Sequence, residues 1–141
     1  MIIYALIGIM LLVLLIGGAV NWVRSLRAQG ETFVRERFPN ARLIVPSANF
    51  MGQESLGALQ LRGNGTLAIT EQELFFKMWV TQRELHIPLA QIEKVENVRS
   101  YLGKSVGMPL LKVSFQNSSG AADSAAWYLH NLEEVKQLLV R

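Results

Sequence analysis

The sequence predicts one transmembrane helix followed by a mainly-β domain, a seven-stranded antiparallel barrel or sandwich capped by a C-terminal helix. Three observations carry this. No charged side chain occurs from Met1 to Val20; beyond Asn40 the apolar period shifts from helical to alternating; and the last apolar stripe, Leu132, Val135, Leu138 and Leu139, returns to helical spacing. The chain has 141 residues, 50% hydrophobic and 18% charged, sufficient for one modest core and too apolar for a disordered chain. The expected division is a transmembrane helix over residues 1–23, a basic juxtamembrane helix or linker over 24–40 and the β domain over 41–141.

As a helix, the run from Met1 to Val20, apolar except for Tyr4, would rise about 30 Å, the thickness of a bilayer core. Asn21 and Trp22 follow, then Arg24 and Arg27, so an amphipathic ring and two cations fall where the headgroups would be. With no Lys or Arg before the run, the positive-inside rule puts the basic flank and the domain in the cytoplasm, the amino terminus outside and the chain in the cell membrane. A cleaved signal peptide is the alternative, since Gly17-Gly18-Ala19 offers small residues at the positions a signal peptidase inspects. It would release an extracytoplasmic binding domain. The missing basic n-region, the length of the run and the arginines beyond it argue against cleavage. A buried core helix is excluded because the rest of the chain is too small to cover it on all sides. Gly8, Gly17 and Gly18 do not form a Gly-x-x-x-Gly dimer motif.

The formal charge is only +3, from 14 Lys and Arg against 11 Asp and Glu, so no broad nucleic-acid-binding surface is expected. Residues 24–42 hold Arg24, Arg27, Arg35, Arg37 and Arg42 against Glu31 and Glu36, which is the whole of that excess. The domain itself is neutral, and the basicity belongs to the juxtamembrane segment. Trp22, Arg24, Arg27, Arg35 and Arg37 are therefore the candidate membrane-interface residues, cations near an anionic leaflet contributing about 1 kcal/mol each. Ser25 to Phe38 favours helix and continues the anchor, and Pro39-Asn40 ends it. Leu26, Gly30, Phe33 and Val34 share a face that Arg37 interrupts, so both packing on the domain and lying on the membrane are allowed.

In the β domain, Leu43 to Val45 is a lead-in strand stopped by Pro46. Leu56 to Arg62 and Thr66 to Thr70 are read as a hairpin about Gly63-Asn64-Gly65, whose residues accept positive φ. Leu74 to Trp79 and Glu84 to Leu89 alternate as strands, Ile92 to Val98 is ambiguous in period, and Leu111-Val113-Phe115 and Ala126 to Leu129 complete the set. Asn131 with Glu134 suggests a capping box for the final helix, which must dock its stripe to be stable, most economically across the open end of the barrel.

The stretches GNGTLAITEQELFF, ELHIPLAQIEKVE and LLKVSFQ, ending in NLEEVKQLL, resemble the pleckstrin-homology-like superfamily and within it the GRAM-like, bacterial PH-like domains. The resemblance covers roughly residues 55 to 140. It rests on a glycine before a short strand ending in Thr, an apolar-aromatic strand and an Ile-Pro-Leu step into a further strand. It implies a non-catalytic binding or scaffolding module. Members that bind phosphoinositides use a basic loop between the first two strands, whereas the matching Arg62-Gly63-Asn64-Gly65 has one cation. Specific phosphoinositide binding is thus not expected, because headgroup recognition needs several charge-assisted contacts.

No cofactor, metal or catalytic set is predicted. Zero cysteines exclude disulfides, thiolate metal sites and a cysteine nucleophile. Gly103-Lys104-Ser105 lacks the glycine a phosphate loop needs, since Val98 stands there, and Pro109 precludes the helix that should follow. It reads instead as a flexible hairpin loop, with Tyr101, Leu102 and Lys104 as exposed candidates for partner contact. His86 and His130 lack further ligands at metal spacing, although Glu84 shares a strand face with His86. Asp123, the only aspartate, would have to serve any Ser-His-Asp triad, and no nucleophile elbow accompanies it. Asn64-Gly65-Thr66 and Asn117-Ser118-Ser119 match a glycosylation acceptor but read first as turns. Phe75, Trp79, Trp127 and Tyr128 read as core aromatics, the alternative being an apolar groove that Phe75 and Trp79 share with the final helix. The functional expectation is a membrane-anchored interaction module for a protein partner or lipid, with the released extracytoplasmic domain and a small hydrolase with an unrecognised site as alternatives.

Overall fold

A computed structural model describes residues 1–140; Arg141, the last residue of the predicted domain, lies outside the described residues. The expected span and the basic segment after it form one unbroken helix, α1 (Ile2–Arg37). Nothing before Pro39 removes a backbone donor, and the Phe38 N–H closes the last turn on the Val34 carbonyl at 2.8 Å. Arg35 and Arg37 in that turn suit the negative end of the helix dipole. At 1.5 Å per residue α1 is about 54 Å long. Its most apolar window has no side chain buried, so this part is long and apolar enough to cross a bilayer.

Seven antiparallel strands follow: β1 (Leu43–Gln53), β2 (Gly63–Ile69), β3 (Glu73–Met78), β4 (Glu84–Pro88), β5 (Ile92–Val98), β6 (Leu110–Gln116) and β7 (Ala122–Tyr128). They form one sheet in the order β4-β3-β2-β1-β7-β6-β5, with β4 and β5 at its two ends and the short turn Leu89–Gln91 joining them. The sheet curves so that both halves share one core, with Ile69, Leu74 and Ile87 meeting Val113, Phe115 and Trp127. Phe50, Phe76 and Trp127 pack at its centre with ring centroids 5.2–5.7 Å apart. The closing helix α2 (Leu132–Leu139) buries Leu132, Val135 and Leu139 in this core and half-buries Leu138, as its stripe predicts. Asn131 makes no capping bond to the backbone; its amide donates to Glu134 Oε2 at 3.0 Å instead.

Two strand expectations are corrected. Pro46 does not stop the first strand, because it falls in a bulge between Val45 and Ala48 where the register with β2 shifts and no ladder N–H is required. The partner of β2 is this longer β1 and not residues 56–62, which form a connection after a 3-10 turn at Glu54–Leu56. Gly63-Asn64-Gly65 is accordingly strand and not turn. Gly65 is needed for close approach: a Cβ there would run into the Lys77 carbonyl and lie 2.5 Å from the Phe76 ring.

Strict alternation fails on β2, buried on every residue from Gly65 to Ile69, and on β3, where Phe75 and Phe76 are both inaccessible. Their outward face is covered by the end of α1. Burial on both faces of β7, from Asp123 to Trp127, has a different cause. There Met51, Tyr101, Leu110 and Ala126 form a second small core beneath the β5–β6 loop.

Candidate functional site

The place where the end of α1 meets the sheet is the candidate site. Leu26, Gly30, Phe33 and Val34 do share one helix face, and it is the docking face. Val34 is inaccessible against Ala68 and Phe75, with Phe33, Phe38 and Ile44 around them. Gly30 sits over the Trp79 indole, whose Nε1 donates to Thr66 Oγ1 at 3.0 Å; Thr66 in turn donates to the Pro46 carbonyl at 3.1 Å. A Cβ at Gly30 would lie 2.5 Å from Thr66 Oγ1 and 2.9 Å from Trp79 Nε1. Only a glycine lets the helix approach this closely. Phe75 and Trp79 are thus core residues beneath α1, and the apolar groove with the final helix does not form.

Arg37 does not interrupt this face but closes its far end. Its guanidinium reaches Glu84 Oε1 at 2.7 Å and stands 5.3–5.8 Å from the rings of Phe33, Phe38 and Phe75. Lys77 Nζ lies 3.4 Å from the Phe33 ring centre. Arg35 pairs with Glu31 at 2.8 Å on the solvent side. Both arginines lie about 20 Å along the helix beyond Trp22, at the end of α1 that packs on the sheet. Trp22, Arg24 and Arg27 are exposed directly after the apolar run.

His86 stands between two carboxylates, Nδ1 being 3.2 Å from Glu73 Oε2 and Nε2 3.2 Å from Glu84 Oε2. For Glu84, burial works upward but is outweighed by the His86 hydrogen bond and the Arg37 and Lys77 charges, and its carboxyl is held below the usual range. This group links β3, β4 and the end of α1 through the Arg37–Glu84 ion pair and the His86 contacts with Glu73 and Glu84. Among the described residues no three His, Asp or Glu side chains are placed to hold a metal ion. Asp123 is buried, with Oδ1 accepting the Ser55 and Ser124 N–H groups at 3.0 and 2.8 Å and Oδ2 accepting Gln53 Nε2 at 2.6 Å. Burial pushes its carboxyl up, and these donors more than offset that to hold it below the ordinary aspartate value. It ties β1 to β7 and faces neither histidine, His130 packing instead edge-on against Tyr128.

The β5–β6 loop departs from its expected exposure. Tyr101 is buried, with its hydroxyl donating to the Ser124 carbonyl at 2.8 Å, and desolvation first among the causes pushes its pKa up to about 12. Leu102 is half-buried beside Gly52, and Lys104 Nζ donates to the Ala58 carbonyl at 3.1 Å. A Tyr101–Lys104 bridge folds the loop onto the sheet, because the outward face of β7 and β1 would otherwise leave Met51 and Ala126 in water. Between β4 and the end of β6, Gln53, Leu85, His86, Phe115, Gln116 and Asn117 line an open cleft of about 630 Å³ with mixed polar and apolar walls.

What the sequence missed is the exposure of Leu56, Leu59 and Leu61, hidden while residues 56–62 were read as a strand. Likewise the role of Gly30 lay in an ordinary helical spacing whose only signal was its place among Leu26, Phe33 and Val34. No protein-family model matches the chain, and no curated protein sequence matches it significantly.

Proposed function

We propose that this protein is a single-pass membrane protein whose PH/GRAM-like domain is a non-catalytic interaction module held at the cytoplasmic face of the cell membrane, where it binds a protein partner or lipid. The observation that carries this reading is the continuity of α1: one helix contains the apolar span and also buries Val34 against Ala68 and Phe75 of the sheet. Such a joint fixes the orientation of the domain to its anchor, which a scaffolding role requires and a free tether would not supply. The GRAM-like fold is supported by the antiparallel order with β4 and β5 at the ends, by one core shared between the two halves and by α2 closing it. The cleft between β4 and the end of β6 is the site assigned to the partner, since its walls combine the apolar Leu85 and Phe115 with the polar Gln53, Gln116 and Asn117. A lone exposed cation in the β1–β2 connection, Arg62, weighs against specific phosphoinositide recognition.

The chain has no cysteine, so a single Ser118→Cys in the exposed β6–β7 turn reports topology. Labelling by a membrane-impermeant maleimide only after cells are opened is the expected result. Labelling of intact cells, or an intact mass corresponding to cleavage near Ala19, would replace this reading with the released extracytoplasmic domain.

A further inference from the structure

The connection between β1 and β2 exposes leucines together: Leu59 is 99% exposed, Leu61 80% and Leu56 51%. Its backbone is nevertheless held in place. Gln60 Oε1 accepts the Gln53 N–H at 2.8 Å, Gln60 Nε2 donates to the Gln53 carbonyl at 2.6 Å, and Lys104 holds the Ala58 carbonyl. A tied loop that turns its leucines outward presents an apolar patch to something other than water.

Its position follows from the strand register. Phe50 is opposite Gly63 and Gly65 is opposite Met78, so the chain before Gly63 runs beside the β3–β4 turn, where Val80 is 68% exposed. This is the end of the sheet toward which α1 departs. From Phe38 back to Leu26 the helix passes Phe75, then Thr66 and Trp79, and there Leu26 lines a cavity with Trp79 and Gln82. Leu26 stands only about 6 Å beyond Trp22 on the helix. The opposite end of β2 and β3, Thr70 to Gln72, carries no apolar side chain.

We infer that Leu59 and Leu61, supported by Leu56 and Val80, insert shallowly into the headgroup and acyl boundary of the bilayer that α1 spans. The domain is then held by two contacts, the spanning helix and this loop, with Arg24, Arg27 and Arg62 at headgroup level around them. Tethering makes the second contact intramolecular, so two or three leucines suffice where they could not recruit a soluble domain. The inference rests on the spanning reading of α1.

The test uses the full chain reconstituted in phosphatidylcholine–phosphatidylglycerol vesicles, with one cysteine at a time carrying an environment-sensitive fluorophore. The positions are Leu12→Cys in the span, Leu59→Cys in the loop and Gln72→Cys at the far end of the sheet; the latter two side chains are exposed, so labelling leaves the fold intact. Nitroxide-bearing lipids should quench the probes at 12 and 59 and leave the probe at 72 bright. Quenching at 12 with none at 59 would overturn the loop contact while leaving the anchor in place. Absence of quenching at 12 would overturn both, and equal quenching at 59 and 72 would replace the loop contact with a domain lying flat on the bilayer. A probe at 59 that lipid does not quench, yet is shielded from aqueous iodide until the protein is diluted, would assign the patch to a second copy of the chain.

Discussion

Thr66 on β2 and Trp79, just beyond the end of β3, are joined side chain to side chain, indole Nε1 to Oγ1 at 3.0 Å, and the pair forms the seat on which Gly30 of α1 rests. The polar atoms are satisfied within the interface, so the helix can cover them without an unpaired donor. Helix α1 is thereby part of the domain's packing, and five substitutions test how that joint and the supporting polar groups behave.

Gly30→Ala sets helix propensity against packing. Alanine gains about 1 kcal/mol in a helix interior, but its Cβ would have to displace Thr66 Oγ1 or the Trp79 ring, at about 1–3 kcal/mol. The expected net effect is a lower melting temperature of the full chain in detergent, with Trp79 emission shifted toward that of an exposed indole. A stabilised variant would show that helix and sheet do not approach this closely.

Phe75→Ala removes a wholly buried ring from between Val34, Phe38 and Ala68, and should cost about 3–5 kcal/mol. By contrast Arg37→Ala breaks a half-exposed pair with Glu84 and should cost only about 0–1 kcal/mol, less still in high salt. Denaturant unfolding of both variants checks the order. An Arg37→Ala loss equal to that of Phe75→Ala would mean that the joint is electrostatic.

Asp123 links stability to acid. Its carboxyl titrates lower in the folded chain than in the unfolded one, so the stability it adds is present above the ordinary aspartate value and is lost as pH falls through the lower folded one. Asp123→Asn should destabilise by about 1–3 kcal/mol at neutral pH, because the amide keeps Oδ1 for the Ser55 and Ser124 N–H groups but loses the charge and sets an NH2 donor where Oδ2 accepts Gln53 Nε2. Melting curves of variant and wild type should converge at acid pH. A gap independent of pH would remove the charge from the explanation.

Tyr101 gives the opposite slope. Raised to about 12 from 10.0, its hydroxyl stays protonated in the fold after the unfolded chain has begun to ionise. Stability is therefore full below the unfolded value and falls as pH rises through that interval. Tyr101→Phe should cost about 1 kcal/mol at neutral pH by losing the bond to Ser124, and its stability should fall less steeply in the alkaline range. Alkaline unfolding curves of the two proteins, followed by circular dichroism, make the comparison; identical slopes would place the Tyr101 hydroxyl in solvent.

The amino-acid sequence by itself determined the apolar helix, its end at Pro39, the later strands and the docking stripe of α2. Those features depend on periods and on residues that act within a few positions of themselves. It did not determine that Pro46 lies within a strand, because whether a missing N–H matters depends on the bulge opposite β2. Nor did it determine that Gly63-Asn64-Gly65 is extended, since its glycines serve close approach to Phe76 and Met78 as well as they would serve a turn. The tertiary structure alone decided which apolar side chains are covered. Tyr101, read as exposed, is buried under its own loop, and Phe75 and Trp79 lie beneath α1, while Leu59 and Leu61, read as strand residues, stand in the open. Coverage is set by which distant segment arrives on each face of the sheet, and that is a property of the assembled layers that no local spacing encodes.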